Sequence, residues 1–195
     1  MGQAQAEAGS CAVPQDLLDV VRLRESGHVV RVAVLARRSA PLVGLRPDFA
    51  YAAGLLHDVG KLILPAEVLG APRPLTEGER RWMRRHPEEG ALVIARLWPE
   101  CPEEIVHAVR HHHEREDGSG YPDGLRSLPG LTALIAACDV WDAVAYDRPY
   151  RAALPAPDVA AHVLGLALPS TTLLAVVRAA DEAREEASPG VGRVL

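Results

Sequence analysis

Apolar positions recur at helical spacing over most of the chain. Leu17, Leu18, Val21 and Leu23 share a face of Gln15 to Arg24, which predicts a first helix. A second is predicted from about His28 to Ala40, stopping before Pro41. A third starts after Pro47, a good first-turn residue, and runs to Gly60. Thr76-Glu77-Gly78-Glu79 is a capping box ahead of Trp82 and Met83. Pro87 either kinks that helix or begins a new one, continuing to Leu97. Pro102 to His113, Leu131 to Tyr146, Ala156 to Leu166 and Ser170 to Ala187 complete the helical set. Glu114 to Leu128, with Gly118, Gly120 and Gly124, reads as a loop, and the tail from Ser188 as frayed. The only strand-like run, Leu62-Ile63-Leu64, meets Pro65 at once. One all-α domain is the simplest expectation.

Composition narrows the class. The 195 residues suit one domain, and 48% hydrophobic with 24% charged residues is a globular balance. The net charge of −5 gives no bulk attraction to nucleic acid, and 4% aromatics supply few stacking platforms, so no DNA partner is expected. No apolar run approaches the roughly 18–20 residues that span a bilayer. The first eleven residues lack a basic region and an apolar stretch, so no signal peptide is expected. Cys11, Cys101 and Cys138 form neither a CxxC pair nor a disulfide framework. The expectation is a cytoplasmic protein with no membrane partner. Lys61 is the only lysine among 21 basic residues, which makes it conspicuous.

The histidines carry the candidate chemistry. His28, His57, His86, His112 and His113 sit at helix ends or loop edges with carboxylates nearby. His57-Asp58 closes an apolar helix, where adjacent residues can still converge on one ion, and Lys61 lies about a turn further on. Asp139 lies inside the apolar stretch Leu131 to Val140, where a carboxylate is costly unless paired or bound to metal. Imidazoles and carboxylates without thiolates suit Fe, Mn, Ni or Zn in a nitrogen and oxygen site. These donors exceed one tetrahedral ion and suffice for two ions about 3.5–4 Å apart, an arrangement that makes hydroxide from water and clamps a phosphoryl oxygen. Singly, each residue also has an ordinary reading. His107 and His111 can be solvated helix surface, the reading favoured for His107, as it is for His162. Asp142 can simply cap or pair.

Two motifs give the ensemble a family. His57-Asp58-Val59-Gly60-Lys61 has the form HDxGK, and residues 112–122 have the form HHExxDGxGYP. His86-Pro87-Glu88-Glu89-Gly90 lies between them, and Asp139 to Asp142 and Asp147-Arg148-Pro149-Tyr150-Arg151 follow. Over about Ser26 to Leu154 the chain resembles the HD-GYP domain, a bacterial subclass of the HD metal-dependent phosphohydrolases. The resemblance implies a single helical HD bundle with a glycine-rich GYP loop. It divides the chain into a lead-in (1–25), a catalytic core (26–154), C-terminal helices (155–187) and a tail (188–195).

The resemblance also implies a signalling phosphodiesterase that hydrolyses a cyclic dinucleotide, chiefly cyclic di-GMP to pGpG or on to GMP, through a metal-bridging hydroxide. Two divalent ions per chain are implied, Fe or Mn before Ni, Co or Zn. One ion would take His28, His57, Asp58 and Asp139. The other would share Asp58 and take His86, His112 and His113. Asp58 and Lys61 would be catalytic, with Lys61 acting on phosphoryl charge or on the leaving group. Arg148 and Arg151 would hold substrate phosphate, as a guanidinium fork should. Tyr121, Gly118 and Gly120 would shape the guanine side of the pocket, and that loop would also offer a docking surface for a partner protein. Arg24 stands where three-metal members carry a Glu, so two ions are expected rather than three. Arg126-Ser127-Leu128-Pro129-Gly130 replaces the usual Gly-x-x-Ile-Pro at the pocket edge. Two alternatives stand beside this reading: an HD phosphohydrolase of another nucleotide, and a catalytically silent docking module.

Overall fold

Prolines mark where most of the helices begin. The computed structural model describes residues 11–22, 27–147 and 152–187. They form α1 (Gln15–Arg22), α2 (His28–Ser39), α3 (Pro47–Leu56), α4 (Ala66–Leu69), α5 (Glu77–Met83), α6 (His86–Leu97), α7 (Glu103–His111), α8 (Gly130–Ala145), α9 (Ala156–Leu164) and α10 (Ser170–Ala187). Short 3-10 turns occupy Ala40–Val43 and Val59–Ile63, and no strand occurs among the described residues. Pro47 and Pro87 sit in the first turns of α3 and α6, while Pro65, Pro102, Pro129 and Pro155 immediately precede α4, α7, α8 and α9. At these positions the missing proline N–H is one that a helix leaves unpaired anyway.

The capping box at α5 is formed as expected. The Thr76 hydroxyl accepts from the Glu79 N–H, and the Glu79 carboxylate accepts from the Thr76 N–H at 2.7 Å. Pro87 opens a new helix instead of kinking an old one: α5 ends at Met83 and α6 starts at His86. The third helix ends earlier than the sequence suggests. It stops at Leu56, and the chain tightens into the 3-10 turn beyond Asp58. Leu62 and Ile63 belong to that turn, not to a strand. The four-residue α4 has no counterpart in the periodicity, because one turn is too short to show a repeat.

The centre of the fold is α8. It is apolar around its circumference and buries Leu131, Leu134, Ile135, Cys138 and Trp141. Cys138 is a core residue, and burial pushes its thiol pKa up. α2 and α3 pack against each other and against α8, and α7 lies across α3 and α8. α9 and α10 cover α8, and their Val159, Val163, Leu173 and Val176 join the same core. The turn Val59–Ile63 packs on α6. Gly60 makes that approach close: a Cβ there would collide with the carbonyl of His86 and lie 2.5 Å from the Gly90 nitrogen. The glycine of HDxGK thus lets the His57-Asp58 turn rest directly on the start of α6.

Candidate metal centre

Five helices deliver the candidate ligands, and each does so at an end or through an otherwise apolar face. His28 is the first residue of α2 and His86 the first of α6. His57 follows α3, and Asp58 precedes the 3-10 turn. His112 and His113 follow α7, and Asp139 projects from α8. Helix ends let neighbouring side chains turn toward a common point, which mid-helix geometry prevents.

The donors gather into two trios. His28, His57 and Asp139 form one, and His86, His112 and His113 the other, with the donor atoms of each within 4.8 Å of one another. Asp58 lies between them. Its Oδ2 is 3.8 Å from His28 Nε2 and 3.5 Å from His57 Nε2, and its Oδ1 is 3.3 Å from His86 Nε2. One carboxylate oxygen therefore faces each trio. Lys61 Nζ sits 2.6 Å from Asp58 Oδ2.

The imidazoles are held with one nitrogen free. Nδ1 of His57, His86 and His112 donates to the carbonyl three residues earlier, at Gly54, Met83 and Val109, over 2.7, 2.7 and 2.8 Å. That bond leaves the Nε2 lone pair pointing inward. His57 Nε2 is the one buried side-chain nitrogen or oxygen among the described residues with no hydrogen-bond partner. His86 Nε2 and His112 Nε2 face each other at 3.2 Å. Two inward lone pairs and an orphaned third fit a cation. The residues present therefore suit a pair of divalent ions bound by nitrogen and oxygen.

Burial and neighbouring charge set the protonation of these groups. Burial would lower the His28 pKa, but hydrogen bonds to Asp139 and Asp142 raise it to about 9. Burial lowers His86 to about 4 and His113 to about 3, against the pull of Asp58 and Asp139 respectively. It also drives His112 well below its usual value. Burial would raise Asp58, but Lys61 and then the surrounding imidazoles hold it well below the usual carboxylate range. Burial would raise Asp139 as well, but the hydrogen bond to His28 and the charges of His57 and His113 together hold it below the usual carboxylate range.

A cleft of about 710 Å³ opens beside the first trio. Val21, His28, Arg31, Asp58, Lys61 and Tyr146 are among the residues lining it. Tyr121 lies elsewhere, stacked on His113 with ring centroids 4.7 Å apart and the Arg84 guanidinium 4.8 Å from its ring. Gly118 sits beside the Arg126 guanidinium, and Gly120 against the backbone of Glu114. Neither lines the cleft. Arg148, Arg151, Arg24 and the tail from Ser188 lie outside the described residues.

Several residues acquire roles that the sequence reading did not give them. Of its two ordinary readings, cap or pair, Asp142 takes the second, and its partners are the distant His28 and Arg31. Glu114 is fully buried, and its carboxylate accepts from the N–H groups of Asp123, Gly124 and Leu125 at 2.6, 3.0 and 3.0 Å, closing the loop around one side chain. His107 is not solvated surface. It is half-buried, with Nδ1 2.9 Å from Thr132 Oγ1 on α8, and its neighbour His111 is buried with Nε2 2.8 Å from Asp123. His162 is exposed, as expected. Among the described residues no helix is long and apolar enough to cross a membrane.

Known proteins resemble this chain in sequence or in fold. Cyclic di-GMP phosphodiesterase PA4108 of Pseudomonas aeruginosa is 41% identical over 152 residues, covering 71% of this chain and 36% of that protein. 3′3′-cGAMP-specific phosphodiesterase 1 of Vibrio cholerae is 34% identical over 139 residues, covering 68% of this chain and 31% of the relative. The chain thus spans about a third of the length of these relatives. The HD domain of the L. monocytogenes phosphodiesterase PgpH, solved with cyclic-di-AMP, matches at a TM-score of 0.67 and 14% identity, covering 91% of this chain and 100% of that one. Bd1817, an HDG"Y"P protein from Bdellovibrio bacteriovorus, matches at 0.62 and 20% identity, covering 80% and 52%. At such identities the two structures speak for the fold. The sequence family described as HD domain matches residues 12–164, a span that contains both trios and the Asp58 between them. This chain belongs to the HD domain family.

Proposed function

We propose that this chain is a metal-dependent phosphodiesterase that opens a cyclic dinucleotide, with cyclic di-GMP the first candidate and pGpG the first product. The observation that carries the reading is the pair of facing donor trios joined by Asp58 beside a cleft of about 710 Å³. Support comes from relatives named as phosphodiesterases of cyclic di-GMP and 3′3′-cGAMP. His28, His57 and Asp139 would hold one divalent ion and His86, His112 and His113 the other, with Asp58 shared. Fe or Mn suits this nitrogen and oxygen set, and Ni, Co or Zn can replace them. Bound there, the ions supply a nucleophile from water at neutral pH and neutralise charge on a phosphoryl group.

The chain's own residues do the rest. The carbonyl bonds of His57, His86 and His112 hold each ring with Nδ1 as the hydrogen-bond donor and Nε2 turned inward. Lys61 lines the cleft and brings positive charge to a substrate phosphate while holding Asp58 Oδ2 at 2.6 Å. Its ammonium would also give a proton to the departing ribose oxygen. Asp117 and Ser119 in the glycine-rich loop are exposed, which leaves that loop open to a partner protein.

The test is anaerobic purification, metal analysis, and incubation with cyclic di-GMP, 3′3′-cGAMP, cyclic di-AMP and nucleotide monophosphates after loading with Fe(II) or Mn(II). Two ions per chain and linear dinucleotide product support the reading. Two ions with cleavage of nucleotide monophosphates instead would move the substrate class. No metal and no turnover would replace the enzyme with a docking module.

A further inference from the structure

Asp142 is the acid that the two trios do not use and yet cannot turn without. Its side chain is 4% exposed. Oδ2 lies 2.6 Å from His28 Nδ1 and 2.9 Å from Arg31 Nη2, and Oδ1 lies 2.6 Å from Arg31 Nε. The guanidinium thus grips the carboxylate with two parallel bonds, and its carbon also stands 4.1 Å from the centroid of the Tyr146 ring. Gly27, just before His28, has φ +73°, and a Cβ there would come within 3.0 Å of Arg31 Nη1. Glycine at this position meets both demands, a left-handed backbone and room for the guanidinium.

His28 is held differently from its partners. His57, His86 and His112 are each fixed by a carbonyl of their own local turn, which any folded copy of the helix supplies. His28 is fixed by a carboxylate 114 residues away, on α8, the helix that also carries Asp139. A carboxylate acceptor makes the opposite ring nitrogen a stronger donor than a carbonyl does, and it locks the ring's direction. Arg31 in turn prevents Asp142 from rotating.

We infer that Asp142, clamped by Arg31, is a positioning residue for His28, and that this pair sets how tightly the first trio holds its ion. The inference rests on the metal-centre reading proposed above. It makes the first site sensitive to substitutions that touch no ligand, while the second site is indifferent to them.

The experiment is a Mn(II) titration of the full chain against a competing chelator, with electron paramagnetic resonance of the bound ion and melting of the chelated protein as companions. Asp142→Asn and Arg31→Ala should each weaken one of two Mn(II) ions by about 10–100-fold. The other ion should stay at wild-type affinity. Arg31→Lys keeps the charge but loses the two-point grip, so it should fall between wild type and Arg31→Ala. It is also the variant to read if Asp142→Asn fails to fold. Asp58→Ala is the control. If it keeps both ions at wild-type affinity, the metal-centre reading itself fails. If Asp58→Ala loses metal while Asp142→Asn and Arg31→Ala bind both ions normally, the positioning inference alone is overturned. Equal weakening of both ions with a lowered melting temperature would overturn it too, by making the pair a mere brace between α2 and α8.

Discussion

His28 and His113 are the same side chain in the same centre, yet one is raised to about 9 and the other lowered to about 3. The first trio lies among Asp139, Asp58 and Asp142, and His28 hydrogen-bonds to two of these carboxylates. The second has two buried imidazoles and one half-buried, with the far oxygen of Asp58 3.3 Å from His86 Nε2. An ion entering the first site must displace a proton from His28, whereas the second is deprotonated at neutral pH before any ion arrives. Equal ligand counts therefore conceal unequal competition with protons.

The severest way to break this comparison is to remove what the trios share. Asp58→Ala should strip both sites together and cut phosphodiester cleavage by about 10³-fold, read by metal analysis and product formation on one sample. Next is Lys61→Ala, which leaves the six outer donors in place. It should lower the turnover rate by about 10²-fold while metal content holds, separating catalysis from assembly.

A third test uses pH on the chelated protein. His28 is raised, so its contribution to stability is full below about 6.5 and is lost as pH climbs through about 9. His86 and His113 are lowered, so the unfolded chain takes up protons first as pH falls below 6.5. Their contribution is lost on the way down toward about 4 and 3. The melting temperature should thus decline on both sides of a maximum near neutrality. His28→Ala should flatten the alkaline arm alone, and His86→Ala should soften the acid arm. The mildest test is Gly60→Ala. Crowding the His86 carbonyl should cost about 1–3 kcal/mol in a denaturant titration and disturb the second trio more than the first.

What the sequence disclosed was what neighbouring residues enforce. Proline-led helix starts and the Thr76–Glu79 box arise within a few residues, so pattern alone places them. The two motifs brought out His57, Asp58, His112 and His113 for the same reason, while His28, His86 and Asp139 lie outside both and owe their ligand roles to the wider family resemblance. The Asp142–Arg31 pair joins residues 111 apart, and the His107–Thr132 bond joins α7 to α8, so no local spacing announces either. Glu114 looked like one more loop acid, because its burial depends on Asp123, Gly124 and Leu125 folding back over it. The extent of α3 was overread because its apolar run continues past Leu56, while the requirement that Gly60 touch α6 is a tertiary one.

The carbonyl tethers of His57, His86 and His112 bear on how the centre behaves over time. Each ring is aimed by its own turn of backbone, so no rotameric freedom is surrendered when an ion arrives and none is recovered when it leaves. The fold acts as a rigid mould, and ions should come and go without a folding step. Which metal fills the centre would then follow supply and exchange rate, not a rearrangement of the fold.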